Sequence, residues 1–181
     1  MISIILVPLE DYFHSRKKLL SKFALPLIIA FLALGSAILF NLGDTEKITS
    51  IFGGFIDTQI NIVAILISFS VAIITILVSA DNKNIQELKD TESQKELYNP
   101  VGGKQLSLFQ ILLSNIAYNI IVEIFYLVCL IAISLLQAII PVVGLKYVTA
   151  LCVFVMMHIL LVLLESVSQM YLTFWARKGN S

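Results

Sequence analysis

LSLFQILLSNIAYNIIVEIFYLVCLIAISLLQAII, residues 106 to 140, holds 35 residues and a single charge, Glu123. A helix that crosses a bilayer needs about 20 mostly apolar residues. Three further stretches read in the same way. Phe23 to Gly43 and Thr58 to Ala80 carry no charged residue, and Tyr147 to Ala176 carries only Glu165. Four segments therefore qualify as spans, and the sequence predicts an all-α, polytopic membrane protein with four transmembrane helices. The first two spans are expected at about 23–42 and 59–80. The quoted stretch is longer than a membrane requires, about 52 Å at 1.5 Å per residue against a hydrocarbon core of about 30 Å. Tilt does not absorb that excess. The inner ends of spans three and four are expected to leave the membrane and to be covered by another subunit or a partner, with burial against the chain's own Ile2 to Leu9 as the alternative.

Basic residues set the expected orientation. Arg16, Lys17, Lys18 and Lys22 precede the first span, Lys83, Lys89, Lys95 and Lys104 lie between the second and third, and Arg177 and Lys178 follow the fourth. Only Lys47 and Lys146, two of the twelve, fall in the other loops. Cytosolic loops collect Lys and Arg, so both termini and the middle loop are expected in the cytosol, with the chain in a cell inner membrane. The third loop reads as a tight connection around Pro141 to Gly144. Gly43 to Thr58 reads as a semi-apolar loop turning at Gly53-Gly54. Pro26 is expected in the first turn of span one, where its missing N–H costs little. Tyr171, Phe174 and Trp175 beside Arg177 and Lys178 read as an inner-interface anchor.

The 181 residues, 59% hydrophobic, fit one domain. It is expected to be a single four-helix transmembrane domain over 1–181, with a cytosolic helical loop at about 81–105. The net charge of zero offers no basic surface for direct nucleic-acid binding. Cys129 and Cys152 are the two cysteines, and both fall inside spans without a Cys-x-x-Cys pattern. They read as buried, inert thiols rather than a redox pair. Ile2 to Leu9 is apolar, but the basic residues follow it, the reverse of a secretory signal. It reads as a segment packed on the cytosolic face or held at the interface. No Ser/His/Asp set, phosphate loop, metal-ligand spacing or metalloprotease motif is visible, so neither an enzyme nor a cofactor is expected.

The middle loop is the charged part of the chain. Asp81 to Leu97 has no Gly or Pro and is rich in helix formers. It is expected to extend span two as a charged helix, broken at Asn99-Pro100-Val101-Gly102-Gly103. Its central charges, Glu87, Lys89, Glu92 and Lys95, are candidates for docking a soluble partner. A solvated linker explains them equally well.

Two patterns within the spans stand out. Asn115, Asn119 and Glu123 recur at i, i+4, i+8 on span three, and His158, Glu165 and Gln169 at i, i+7, i+11 on span four, so each set shares a helix face. In an antiparallel hairpin the two carboxylates fall at nearly one depth, and Asn119 meets Ser168 and Gln169. Such a polar seam fits proton sharing or cation passage, and it equally fits interhelical hydrogen bonding. His158 alone among methionines and leucines reads as a buried structural residue. On span two Ala64, Ser68 and Ala72, continued by Thr75 and Ser79, form a ladder of small residues that lets helices approach closely. It is the best candidate face for self-association.

Four spans, both ends inside, short outer loops and one helical cytosolic loop resemble the plan of small membrane subunits of prokaryotic anti-phage systems, that of the Kiwa system among them. The resemblance covers the whole chain through topology and size, and no motif carries a residue role. It implies a homo-oligomeric membrane scaffold or sensor holding a cytosolic, DNA-binding effector at the inner membrane. Two functional classes follow: a non-enzymatic scaffold or sensor with membrane lipid, its own copies and a cytosolic protein as partners, or an ion channel or pore-forming effector built on the polar seam.

Overall fold

In a computed structural model, residues 2–39, 45–79, 83–101 and 103–176 are described. They form α1 (Ile2–His14), α2 (Leu19–Leu39), α3 (Thr45–Ser79), α4 (Lys83–Asp90), α5 (Leu108–Leu136) and α6 (Val142–Ala176), with no β-strand among the described residues. Four are long and apolar enough to cross a membrane: Leu19–Leu39, Glu46–Ser79, Leu108–Leu136 and Val142–Tyr171. The all-α, four-span reading holds. The chain groups into two compact units, residues 1–19, 69–122 and 160–181 in the first and 20–68 with 123–159 in the second.

Two boundaries differ from expectation for physical reasons. α2 starts at Leu19, so Pro26 sits two turns inside the helix and is buried, rather than in its first turn. A membrane helix tolerates proline there because its other backbone groups remain bonded. The loop expected at 43–58 is helical from Thr45, through Gly53 and Gly54. Phe52, Ile56, Gln59 and Val63 are buried at spacings of four, three and four residues, and Ser70 and Leu77 extend the stripe. That spacing places one apolar face along α3, and its burial outweighs the glycine propensity cost of about 1 kcal/mol each.

The first unit is a small folded body made largely by the segments outside the spans. Leu77, Ile85, Leu88, Leu112 and Ile116 form one core, flanked by Phe109 and Met170. Tyr12, Tyr118 and Val162 form another, flanked by Leu9, Leu19 and Val122. α4 therefore packs back against α3 and α5; a continuous straight helix would set Leu77 and Leu88 about 16 Å apart. Its helix ends at Asp90, not Leu97. Beyond it the backbone finds tertiary partners. Ser93 N–H donates to Leu106 C=O at 2.9 Å, Leu108 N–H to Thr91 C=O at 2.9 Å, Lys17 N–H to Leu97 C=O at 3.1 Å and Asn99 N–H to Ser15 C=O at 2.8 Å. A chain whose polar groups are satisfied this way has no need of helix. Val101 and Lys104 exchange two backbone hydrogen bonds around Gly103, whose φ of 78° favours glycine.

This packing also revises what covers the N-terminal end of α5. Ile111 is buried and Leu108 and Phe109 pack on the α4 core, so this apolar surface is closed by the chain itself. The N-terminal segment is a full helix whose Leu9 and Tyr12 pack instead with Tyr118 and Val162.

In the second unit α5 and α6 turn at 137–141. Pro141 C=O accepts from Gly144 N–H at 2.7 Å to open α6. Tyr126 Oη donates to Cys152 C=O at 2.9 Å and lies 3.4 Å from Gln59 Oε1. Cys129 is half-buried, Cys152 buried, and both are free thiols.

Candidate functional site

The first unit is organised around Arg16, a residue whose role in the sequence is only one cation of a basic run. α1 ends at His14 and the following chain runs beside residues 97–99, where Arg16 bridges Tyr98. From there the side chain turns inward and is 3% exposed. Nη1 lies 3.4 Å from each oxygen of Glu165, and Nη2 donates to Asn115 Oδ1. The Tyr12 ring lies under the guanidinium carbon at 3.9 Å, and Tyr12 stacks on Tyr118 at 3.7 Å between centroids.

Three residues of the polar seam converge here. Glu165 on α6 accepts from Gln169 Nε2 at 3.3 Å and Tyr98 Oη at 3.5 Å as well as from Arg16. Gln169 Nε2 also reaches Tyr98 Oη at 2.7 Å, and Asn115 Nδ2 donates to Gln169 Oε1 at 3.5 Å. The hairpin register thus pairs Asn115, not Asn119, with Gln169, one helical turn from the expected match. The turn at 137–141 lies earlier than the expected centre near 143, and the register follows it. Glu165 is the carboxylate of an ion pair rather than half of a proton-sharing pair.

Burial raises the Tyr12 phenol from 10.0 to about 12, although Arg16 beside it pulls the other way. Burial, then the Glu165 charge, also raises Tyr98. Both stay protonated at neutral pH, which is what lets Tyr98 donate to Glu165. The cluster binds two segments outside the four candidate spans, α1 with its following turn and the stretch around Tyr98, to α5 and α6. Its chemistry is cohesion: Glu165, Gln169, Asn115 and Tyr98 are spent on one another and on Arg16, while Tyr12 Oη and Arg16 Nε are buried without a hydrogen-bond partner.

The remaining seam residues are buried apart from this cluster. Asn119 belongs to the first unit; Glu123 and His158 belong to the second, where His158 stacks on Phe23 at 4.6 Å. Ala64, Ser68 and Ala72 are all exposed. They lie roughly 150° around α3 from its buried stripe, at about 100° per residue. Ser68 Oγ donates to Ala64 C=O at 3.0 Å, so its hydroxyl is satisfied within the helix. Of the docking candidates, Lys89, Glu92 and Lys95 are exposed and Glu87 is half-buried. Lys89 Nζ sits 5.3 Å from the Phe109 ring, and Lys17 Nζ donates to Lys95 C=O at 2.6 Å. The anchor expected from Phe174, Trp175, Arg177 and Lys178 rests on side chains outside the described residues. No group of acidic, histidine or cysteine side chains among the described residues has the arrangement of a metal site.

Arg16 escaped sequence reasoning because adjacent lysines mask it. The one available signal is its type: in a run of cations only arginine presents a planar fork suited to a carboxylate and an aromatic face at once. No family model matches this chain, and no curated protein or solved structure does either.

Proposed function

We propose that the chain is a non-enzymatic inner-membrane scaffold or sensor subunit, with both termini cytosolic, that self-associates and recruits a cytosolic protein. The observation that carries this reading is the surface of the α4 segment. Its apolar residues Ile85 and Leu88 are buried, while Lys89 and Glu92 line an open polar groove of about 460 Å³ beside Phe109 and Gln110. Charges held on a fixed backbone supply register and specificity to a protein contact. The Arg16 ion pair supports the same reading, since it ties this region to α5 and α6 with a charge that is costly to expose or to strand. The basic residues Arg16, Lys17, Lys18, Lys83, Lys89, Lys95 and Lys104 all belong to the first unit, in segments outside the candidate spans that the charge rule assigns to the cytosol. The resemblance to anti-phage membrane subunits extends the proposal to prokaryotic antiviral defence.

The test is charge reversal of Glu87, Lys89, Glu92 and Lys95 together. A soluble protein that co-purifies with the wild type from the native host is expected to be lost, while membrane insertion stays unchanged. If nothing co-purifies with the wild type, the scaffold reading loses its support. A channel is the second reading, favoured by one observation: Glu123 is 0% exposed within an apolar span. Constitutive cation flux through reconstituted protein, abolished by Glu123→Gln, would establish the channel instead.

A further inference from the structure

Within the first unit, α1 and the start of α5 enclose a cleft of about 510 Å³. Gln110, Leu113, Ser114 and Ala117 line it from one face of α5, and Pro8 and Asp11 from α1. Val101 and Leu106, in the segment leading into α5, add a third wall. Small-molecule sites have this size, about 300–1,000 Å³, with mostly apolar walls and a few polar groups. Charge in the cleft is one-sided. Glu10, Asp11 and His14 line it and are exposed. Among the described residues no lysine or arginine lines it, and neither carboxylate has an ion pair. In the α5 wall, Ser114 Oγ is buried with no hydrogen-bond partner. A buried hydroxyl left in that state is costly until a partner reaches it. The 29 residues of α5 measure about 43 Å, more than a hydrocarbon core of about 30 Å. The exposed charges of α1 place its first turns in water.

We propose that this cleft is a binding site for a small organic ammonium, a protonated amine on an apolar body that also carries a hydroxyl. The ammonium brings three donors to the Glu10 and Asp11 carboxylates. The apolar body covers Pro8, Leu106, Leu113 and Ala117, and the hydroxyl meets Ser114 Oγ. An anionic ligand would face two charges of its own sign with no cation in the walls to offset them. A bare metal ion is not the occupant, because the acidic and histidine side chains here are not arranged to hold one. The cleft shares only Gln110 with the groove of Lys89 and Glu92. This inference is therefore independent of the scaffold reading and holds whether or not a soluble partner exists.

The test titrates tyramine into the full chain held in phosphatidylcholine nanodiscs, with empty discs as the blank. Tyramine carries an ammonium, an aromatic body and a hydroxyl. Para-ethylphenol lacks the ammonium, and para-hydroxyphenylpropionate replaces it with an anion. Tyramine is expected to bind saturably, the neutral analogue about tenfold more weakly and the anion not at all. Glu10→Gln and Asp11→Asn keep the shape of exposed side chains and leave the fold intact. Each should weaken tyramine about two- to fivefold, and the two together about tenfold. Phenethylamine, which is tyramine without its hydroxyl, should bind the wild type about fivefold more weakly than tyramine does. Ser114→Ala should erase that difference while the preference for ammonium over the neutral analogue remains. Equal binding of tyramine and its neutral analogue, or amide variants that bind like the wild type, would overturn the proposal. A lysine-rich peptide that binds where tyramine does not would also overturn it, by giving the cleft to a protein.

Discussion

Arg16 and Glu165 show how one pair can organise a region. Moving an ion from water to a buried site costs several kcal/mol, and the partner recovers it only when geometry is good. Here the guanidinium has a carboxylate, an amide and an aromatic face, and removing the carboxylate strands a buried charge. Arg16→Ala and Glu165→Gln are each expected to destabilise the protein by about 3–5 kcal/mol, read as earlier thermal unfolding in detergent. Replacing the pair together by apolar residues of similar volume should cost less than either single change, because no charge is left unpaired. A double variant as damaged as the sum of the two singles would show that the pair is not the unit that matters. Arg16→Lys is not a mild change either, since an ammonium cannot serve the Asn115 amide, the carboxylate and the Tyr12 ring from one plane.

At the scale of the helix, α3 divides its work between two faces. Phe52, Ile56, Val63 and Leu77 pack inside the protein, and Ala64, Ser68 and Ala72 face away from them. Substitution on the outward face therefore tests association without touching the internal packing. Leucine at all three positions is expected to give a smaller particle in detergent, with the helix content and unfolding temperature of a folded chain. Close packing of small residues contributes about 1–2 kcal/mol per contact at most, enough to shift an equilibrium between copies. An unchanged particle would move any self-association to another helix. The same helix starts earlier than its sequence suggests: the glycines at 53 and 54 favour a turn, but the buried stripe runs straight past them.

For the whole molecule the consequence is topological. Charge bias over short loops sets orientation, and nearly all the cations fall on one side of the alternating plan. Cysteines introduced at Lys47 and Lys146 should react with an impermeant reagent from outside whole cells, and one at Lys89 should react only after permeabilisation. Labelling at Lys89 in intact cells would reverse the orientation and with it the cytosolic assignment of the docking surface.

The number of spans and the fold class were legible in the sequence, because the cost of unpaired charge in hydrocarbon writes itself into composition over some 20 residues at a time. So was the polarity of Asn115, Glu165 and Gln169, whose spacing on a helix face is a local property. Their partner was not. Arg16 lies 149 residues from Glu165, and nothing in a basic run says which cation will be desolvated. The end of α4 at Asp90, the helical path of residues 45–58 and the pairing of Asn115 with Gln169 were also decided by tertiary structure. Each depends on which distant groups satisfy a backbone, bury a face or set a hairpin register, and local propensity carries no record of those contacts.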